Sequence, residues 1–313
     1  VVTTSDAGAG IGYTGIRVRG VSPQSTNITI NGIPFNDPES MGTFWVNLPD
    51  FSSSIESLQV QRGVGTSTNG SGAFGASINI LTDIVSDQPY AELSSSFGSY
   101  NTLKNTIKFS TGKINDYFEL SGRLSKIDSD GYVDRAYSDL KSYFIQGAYT
   151  NGSTLIKAIS FGGHEKTYQS WYGLSIDQVE ENRRQNPLTY ENEIDNYKQD
   201  HFQLHWNEKI NNYWSFNLGL NYTDGRGYFE QYKEDDDINS YGGIVKSDID
   251  SNGNETGTTD LIRRRWLDND FYVLNSSINY IKDKIDLTLS SSYSSYVGDH
   301  YGEVIWARSL SNN

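Results

Sequence analysis

The run Trp214-Ser215-Phe216-Asn217-Leu218-Gly219-Leu220-Asn221-Tyr222-Thr223 decides the fold class. Successive side chains of a strand point to opposite faces, so Trp214, Phe216, Leu218, Leu220 and Tyr222 make one wholly apolar face. Ser215, Asn217, Gly219, Asn221 and Thr223 make the other. The aromatics stand at both ends of the apolar face and the aliphatics between them. Aromatic edges on an apolar band mark a transmembrane β-strand, whose rings sit at the two membrane interfaces. Eight steps at ~3.3 Å make about 26 Å, or roughly 20 Å along the membrane normal at a ~40° tilt, close to the apolar band of such barrels.

The pattern recurs on both sides of this run. Tyr272, Leu274, Ser276, Ile278 and Tyr280 repeat the order of ring, aliphatic and ring. Phe118, Leu120 and Leu124 oppose Glu119, Ser121 and Arg123; Phe202, Leu204 and Trp206 oppose His201, Gln203 and His205. About nine strands follow from residue 88: near 88–97, 102–111, 117–127, 140–149, 154–163, 200–208, 213–223, 270–280 and 285–297. A soluble β-sandwich with one buried face shares this alternation. The connections favour the barrel: short links at 112–116, 150–153, 209–212 and 281–284 alternate with long ones at 128–139, 164–199 and 224–269. Outer-membrane barrels pair short periplasmic turns with long external loops in this way. Compact soluble domains rarely carry such long loops.

Composition agrees. Of 313 residues only 35% are hydrophobic, yet 22 Tyr, 13 Phe and 6 Trp bring the aromatics to 13%. Disordered chains are poor in aromatics. No stretch approaches the roughly 18 apolar residues of a spanning helix. The absence of Cys excludes disulfide and thiolate chemistry, and a net charge of −14 argues against a nucleic-acid partner. The chain starts at Val1 with no signal peptide in view, so it reads as a processed product or a fragment.

Residues 1 to about 86 follow a different grammar, Gly-, Ser- and Thr-rich with short apolar bursts such as Ile28–Ile30 and Ile78–Leu81. Short strands and tight loops are expected, with Asn31-Gly32 as a turn and Ile55 to Leu58 as a candidate helical turn. An ordered set of motifs fills most of residues 11–82: Ile16-Arg-Val-Arg-Gly20, Ile28-Thr-Ile-Asn-Gly-Ile-Pro34, Asn36-Asp-Pro38, Asn47-Leu-Pro49, Ile55-Glu-Ser-Leu-Gln-Val-Gln-Arg-Gly63 and Gly70-Ser-Gly-Ala-Phe-Gly-Ala-Ser-Ile-Asn-Ile-Leu-Thr82. This set resembles the C-terminal part of the plug domain of TonB-dependent outer-membrane receptors. Glu165-Lys-Thr-Tyr-Gln169 and Asp195-Asn-Tyr197 look most like receptors of Bacteroidetes.

The resemblance implies a membrane all-β chain: residues 1–86 as a partial α+β plug and 87–313 as the N-terminal part of a transmembrane β-barrel. The family barrel has about 22 strands with a plugged lumen, against about nine here. It implies a location in the outer membrane of a Gram-negative bacterium. Partners would be outer-membrane lipid, an external nutrient and TonB with its inner-membrane energising complex. The function implied is TonB-dependent active transport of a scarce nutrient: siderophore-iron, haem, cobalamin or a glycan. A ligand-sensing or adhesive receptor without transport is the alternative. No bond is broken, so no enzyme and no cofactor are expected.

Candidate ligand contacts, by the same resemblance, are the plug's outward loops: Asp6 to Thr14 and Pro34 to Trp45, with Phe35, Asn36, Asp37, Glu39, Phe44 and Trp45. Phe44 and Trp45 have a second reading, packing the plug against the wall. Tyr168, Trp171 and Tyr172 are either stacking platforms for a ligand or part of the girdle edge. Arg19 and Arg62 are expected to seat the plug against wall glutamates on later strands. The Gly-rich run from Gly63 to Gly75 lacks a Gly-Lys-Ser/Thr ending and is not a phosphate cradle. The scattered His164, His201, His205 and His300 form no expected metal site. Asp248-Ile-Asp250-Ser-Asn252-Gly-Asn254 begins like a calcium loop, but Thr259 stands where a bidentate Glu belongs.

Overall fold

A computed structural model describes residues 2–63 and 74–310. The Gly70–Ala73 part of the plug motif, and most of the Gly63–Gly75 run, lie outside the described residues. Fifteen strands and one short α-helix are present among the described residues. A hairpin of β1 (Val2–Ser5) and β2 (Thr14–Arg17) precedes a four-stranded sheet. That sheet has the order β4 (Ile33–Pro34), β3 (Thr26–Ile30), β6 (Ala76–Thr82), β5 (Ile55–Arg62), with β3 and β6 parallel. Asn31 and Gly32 both have positive φ, at 54° and 79°, as a two-residue hairpin turn between β3 and β4 requires. The expected helical turn at Ile55 to Leu58 is wrong: these residues open β5, and a 3₁₀ turn at Phe51–Ser54 precedes it. Pairing of β5 with β6 overrides the local ambiguity of so short an apolar run.

Nine antiparallel strands then run in chain order as one meander: β7 (Pro89–Gly98), β8 (Thr102–Thr111), β9 (Phe118–Ser129), β10 (Ser138–Thr150), β11 (Thr154–Tyr168), β12 (Ile194–Lys209), β13 (Trp214–Asp237), β14 (Thr258–Lys282) and β15 (Ile285–Ala307). Register fixes the membrane band. Phe202, Tyr222 and Tyr272 form one aromatic row, with ring centroids 6.0 and 5.0 Å apart. Leu204, Leu220 and Leu274 lie in the row below. Trp206–Phe216 and Trp214–Tyr280 close the band at its other edge, at 5.5 and 4.7 Å. Directly beyond the first aromatic row stand Asp200, Asp224 and Asp270, then Lys198, Arg226 and Asp268. Lipid contact ends between those rows, because charged groups at membrane depth are costly.

Burial separates the barrel from a sandwich. The apolar face is the open one: Leu289 is 74% exposed, Leu287 61% and Leu204 41%. The polar face is buried against the first domain, with Glu119, Arg123, Gln146 and Glu165 all under 5% exposed. A soluble sandwich would bury the apolar side instead, and exposed apolar faces of this extent mark a surface that meets another apolar phase. Among the described residues no helix is long and apolar enough to cross a membrane. The sheet crosses it.

Strands on the outer side are longer than the sequence pattern shows. β13 runs to Asp237 and β14 starts at Thr258, so the connection expected at 224–269 shrinks to 238–257. The loop expected at 164–199 becomes 169–193 and holds α1 (Ile176–Glu181), whose N-terminus is a Ser175/Gln178 capping box. Alternation continues past the membrane, but outward positions there are charged, and an apolar-period reading stops where lipid stops.

The plug sits on the polar face. Ile28, Ile30, Ile78, Ile80, Leu48 and Phe51 form one core with the inward Phe144, Ile159 and Phe161 of β10 and β11. Wall and plug approach closely at Gly163, where an added Cβ would lie 2.6 Å from Pro49 Cδ and closer still to the Asn47 carbonyl oxygen.

Candidate functional site

Two features join the plug to the wall. The first is a polar seat under the turn at Asp50, a residue at φ 53° with a side chain 1% exposed. Its carboxylate accepts from Lys104 Nζ and Thr106 Oγ1 on β8 and from Ser125 Oγ on β9, all at 2.6 Å, and from Ser53 Oγ at 2.7 Å. Arg123 Nη1 stands 3.6 Å away, its Nε donating to Ser54 Oγ at 2.8 Å. Burial alone would raise the Asp50 carboxyl, but the donors, Lys104 first, outweigh it and hold it at about 2. The sequence assigned seating to Arg19 and Arg62. Both are exposed, and neither forms an ion pair with the described residues. Their expected partners are glutamates on later strands, and the Asp50 seat is a separate contact in which wall cations meet a plug carboxylate.

The second feature is a cavity of about 220 Å³ between the 34–47 loop and the outer halves of β11 to β15. Phe35, Asn36, Asp37, Glu39 and Phe44 line it; Trp45 does not. Trp45 packs against the shared core, 6.1 Å from the Phe35 ring, which favours the packing reading of this residue. Asn36 is tied up as a loop brace: its Oδ1 accepts from Ile28 N at 2.6 Å, and its Nδ2 donates to Thr26 O and Met41 O. Asp37 Oδ1 accepts from the Ser40 and Glu39 backbone amides at 2.6 and 3.2 Å, holding the tip of the loop. Glu39 is exposed, and its Oε2 accepts from Tyr296 Oη at 3.1 Å and lies 3.1 Å from His300 Nε2. Phe44 is 43% exposed and free to meet a ligand.

The far wall was missed in the sequence. Glu165 and Asp195, from β11 and β12, are both buried above the lipid-facing band and face Tyr13 of the plug. Tyr13 Oη donates a short hydrogen bond to Asp195 Oδ2 and lies 3.4 Å from Glu165 Oε1. Burial, then the Asp195 charge, pushes the Glu165 carboxyl well up; burial likewise raises Asp195. Neither acid has a cation bonded to it among the described residues. Tyr197, Asn269 and Tyr296 complete this wall. Motif wording marked Glu165 and Asp195-Asn-Tyr197, but only the register of β11 on β12 turns both acids toward Tyr13.

Other candidates resolve differently. Tyr168 is buried and donates to the Leu188 and Tyr190 carbonyls, so it holds the 169–193 loop. Trp171 packs edge-on to Tyr13 and Phe229, while Tyr172 is 52% exposed. His201 and His205 face the lumen as expected, but His201 is buried rather than wet, stacked 4.6 Å from Phe161. The Asp248 carboxylate is occupied by Thr259, Ser309 and Arg308, and Asp250 caps its own turn. No group able to hold a metal forms among the described residues.

Residues 1–77 match the family model described as TonB-dependent Receptor Plug Domain. The chain is 31% identical over 86 residues to a probable TonB-dependent siderophore receptor, PirA, of Acinetobacter baumannii, covering 25% of this chain and 11% of that protein. Among solved structures it is similar to the ferric-catecholate import receptor Fiu of E. coli K12, with TM-score 0.66 and 14% identity over 95% of this chain and 46% of that one. It is also similar to BauA, the ferric preacinetobactin receptor of A. baumannii, with TM-score 0.65 and 11% identity over 96% of this chain and 43% of that one. The chain thus spans under half the length of these structures, and at such identities the likeness is one of fold.

Proposed function

We propose an active transporter, on the premise that this chain is the plug and part of the barrel of a TonB-dependent receptor in the outer membrane of a Gram-negative bacterium. The nutrient is iron held by a siderophore, bound from outside and released inward when TonB, driven by the inner-membrane complex, pulls on the plug. Residues 1–86 serve as the plug portion and 87–313 as the barrel portion. The observation that carries this reading is the cavity where the plug loop 34–47 meets the outer strand halves, above the lipid band. Phe35, Asp37, Glu39 and Phe44 are its proposed ligand contacts.

In this reading the plug blocks the lumen at rest, through the Asp50 seat and the shared apolar core. Ligand bound over the loop tip touches a segment braced by Asn36 to β3, so its arrival is coupled to the plug sheet itself. The nutrient leaves chemically unchanged. The test is growth under iron limitation of a strain lacking its own receptors, carrying the full-length gene, with and without TonB. Growth on a ferric siderophore that requires both gene and TonB supports transport; equal growth without TonB contradicts it.

A further inference from the structure

The cavity walls are rich in acidic and aromatic side chains, and their basic groups are imidazoles: His201 in the lining and His300 against Glu39. Asp37 and Glu39 stand at its mouth and Glu165 and Asp195 at its far side, while no Lys or Arg is among its lining residues. The basic group in the lining, His201, has Nδ1 against Thr223 Oγ1 at 2.9 Å and Nε2 against Gln199 Oε1 at 3.3 Å. Two further acceptors point the same way. Asn47 Oδ1 and Asn269 Oδ1 are buried without a donor, and both residues line the cavity. Asn47 is only 7% exposed. Buried acceptors are normally satisfied, so two unmet oxygens on lining residues add to the acceptor excess around this cavity.

We propose that this cavity receives a protonated amine: the ligand carries an ammonium-bearing arm that enters between the plug loop and the outer wall. Size supports an arm rather than a whole chelate. A volume of about 220 Å³ is below the roughly 300–1,000 Å³ of pockets that engulf a drug-sized ligand. Phe44, Phe271 and Tyr296 supply ring faces that attract a cation, and the carboxylates supply charge-assisted acceptors. An anionic group entering the same space would meet four acidic side chains and no Lys or Arg. Specificity here comes as much from that repulsion as from attraction. The inference rests on the transport reading for its ligand, a ferric complex, and adds the charge class.

The test is binding to the full-length receptor in detergent, by titration calorimetry at neutral pH. The probes are ferrioxamine B, which has a free ammonium, its neutral N-acetyl derivative, and the anionic ferric enterobactin. A fourth probe, 1,5-diaminopentane, is a protonated amine and holds no iron. The expected result is that ferrioxamine B binds at least about tenfold tighter than its N-acetyl form. Glu39→Gln should erase most of that difference with an unchanged melting midpoint. Equal affinity of the two ferrioxamines, or binding of ferric enterobactin alone, overturns the ammonium site; the second outcome leaves iron uptake standing. Binding of 1,5-diaminopentane without any ferric complex keeps the ammonium site and removes the iron reading. No binding by either cationic probe overturns the inference.

Discussion

Replacing Asp50 by alanine removes the carboxylate to which both Lys104 and Arg123 of the wall are turned. Arg123 is 1% exposed, and with Asp50 gone its guanidinium keeps only the hydroxyls of Ser54, Ser125 and Ser142. Breaking a buried pair by deleting one partner costs roughly 3–5 kcal/mol, because a charge is left without its counterion. That is roughly two to four orders of magnitude in the ratio of seated to unseated plug. A second figure follows from the lowered Asp50 carboxyl. A folded-state carboxyl at about 2, against an ordinary 3.8, stabilises the fold above pH 3.8 by about 2 kcal/mol, and this is lost as pH falls through 2. The second figure is the smaller because protonation leaves a neutral acid that still accepts hydrogen bonds. The assay is single-channel conductance of the full-length receptor in planar bilayers, with protease sensitivity of the plug as the second readout. Asp50→Ala should open intermittent ion-conducting states absent from the wild type, and Asp50→Asn should do so less often. Wild-type conductance and protease resistance in Asp50→Ala would refute the assignment of the seat.

Three further outcomes follow from named contacts. Gly163→Val should lift the 47–49 segment from β11 at a cost of about 1–3 kcal/mol, read as a lowered thermal midpoint and increased leak. Burial raises the Asp195 carboxyl to about 6, so the stability this group lends the packing of Tyr13 on the wall is fully present below about pH 4 and is lost as pH rises through 6, when a charge must be held in a buried site. Hydrogen exchange of the 6–13 loop, corrected for intrinsic rates, should therefore speed up across that window, and Asp195→Asn should flatten the dependence. Leu204→Arg, in the middle of the lipid band, should cost roughly 2–4 kcal/mol in barrel refolding into lipid, while Gln203→Arg on the lumen side should not follow that depth dependence.

Strand number and facing were legible because lipid writes a strict alternation with aromatic edges, as at Trp214 to Tyr222. The outer halves of β13 and β14 were not, since Asp224, Arg226 and Asp268 interrupt the apolar period while the backbone ladder continues. The Ser175-to-Gln178 capping box was readable in the sequence, yet the surrounding polar stretch read as loop. On the plug, the loop tip at Phe35 to Phe44 was found, but which residues brace it and which face the cavity was not: Asn36 and Asp37 look alike until their hydrogen bonds are seen. The Asp50 seat joins residues more than fifty positions apart across two domains, and no local pattern encodes that meeting. The seating expected of Arg19 and Arg62 involves glutamates on later strands, so the Asp50 seat stands beside that expectation and not in its place.

Accumulation of ⁵⁵Fe tests the central claim most directly. Cells carrying the full-length receptor, supplied with ferric siderophores of differing charge, should accumulate label only when TonB is present and the membrane is energised. Label that enters equally without TonB, or binding at the surface with no accumulation, would contradict active transport and favour a receptor that senses or adheres.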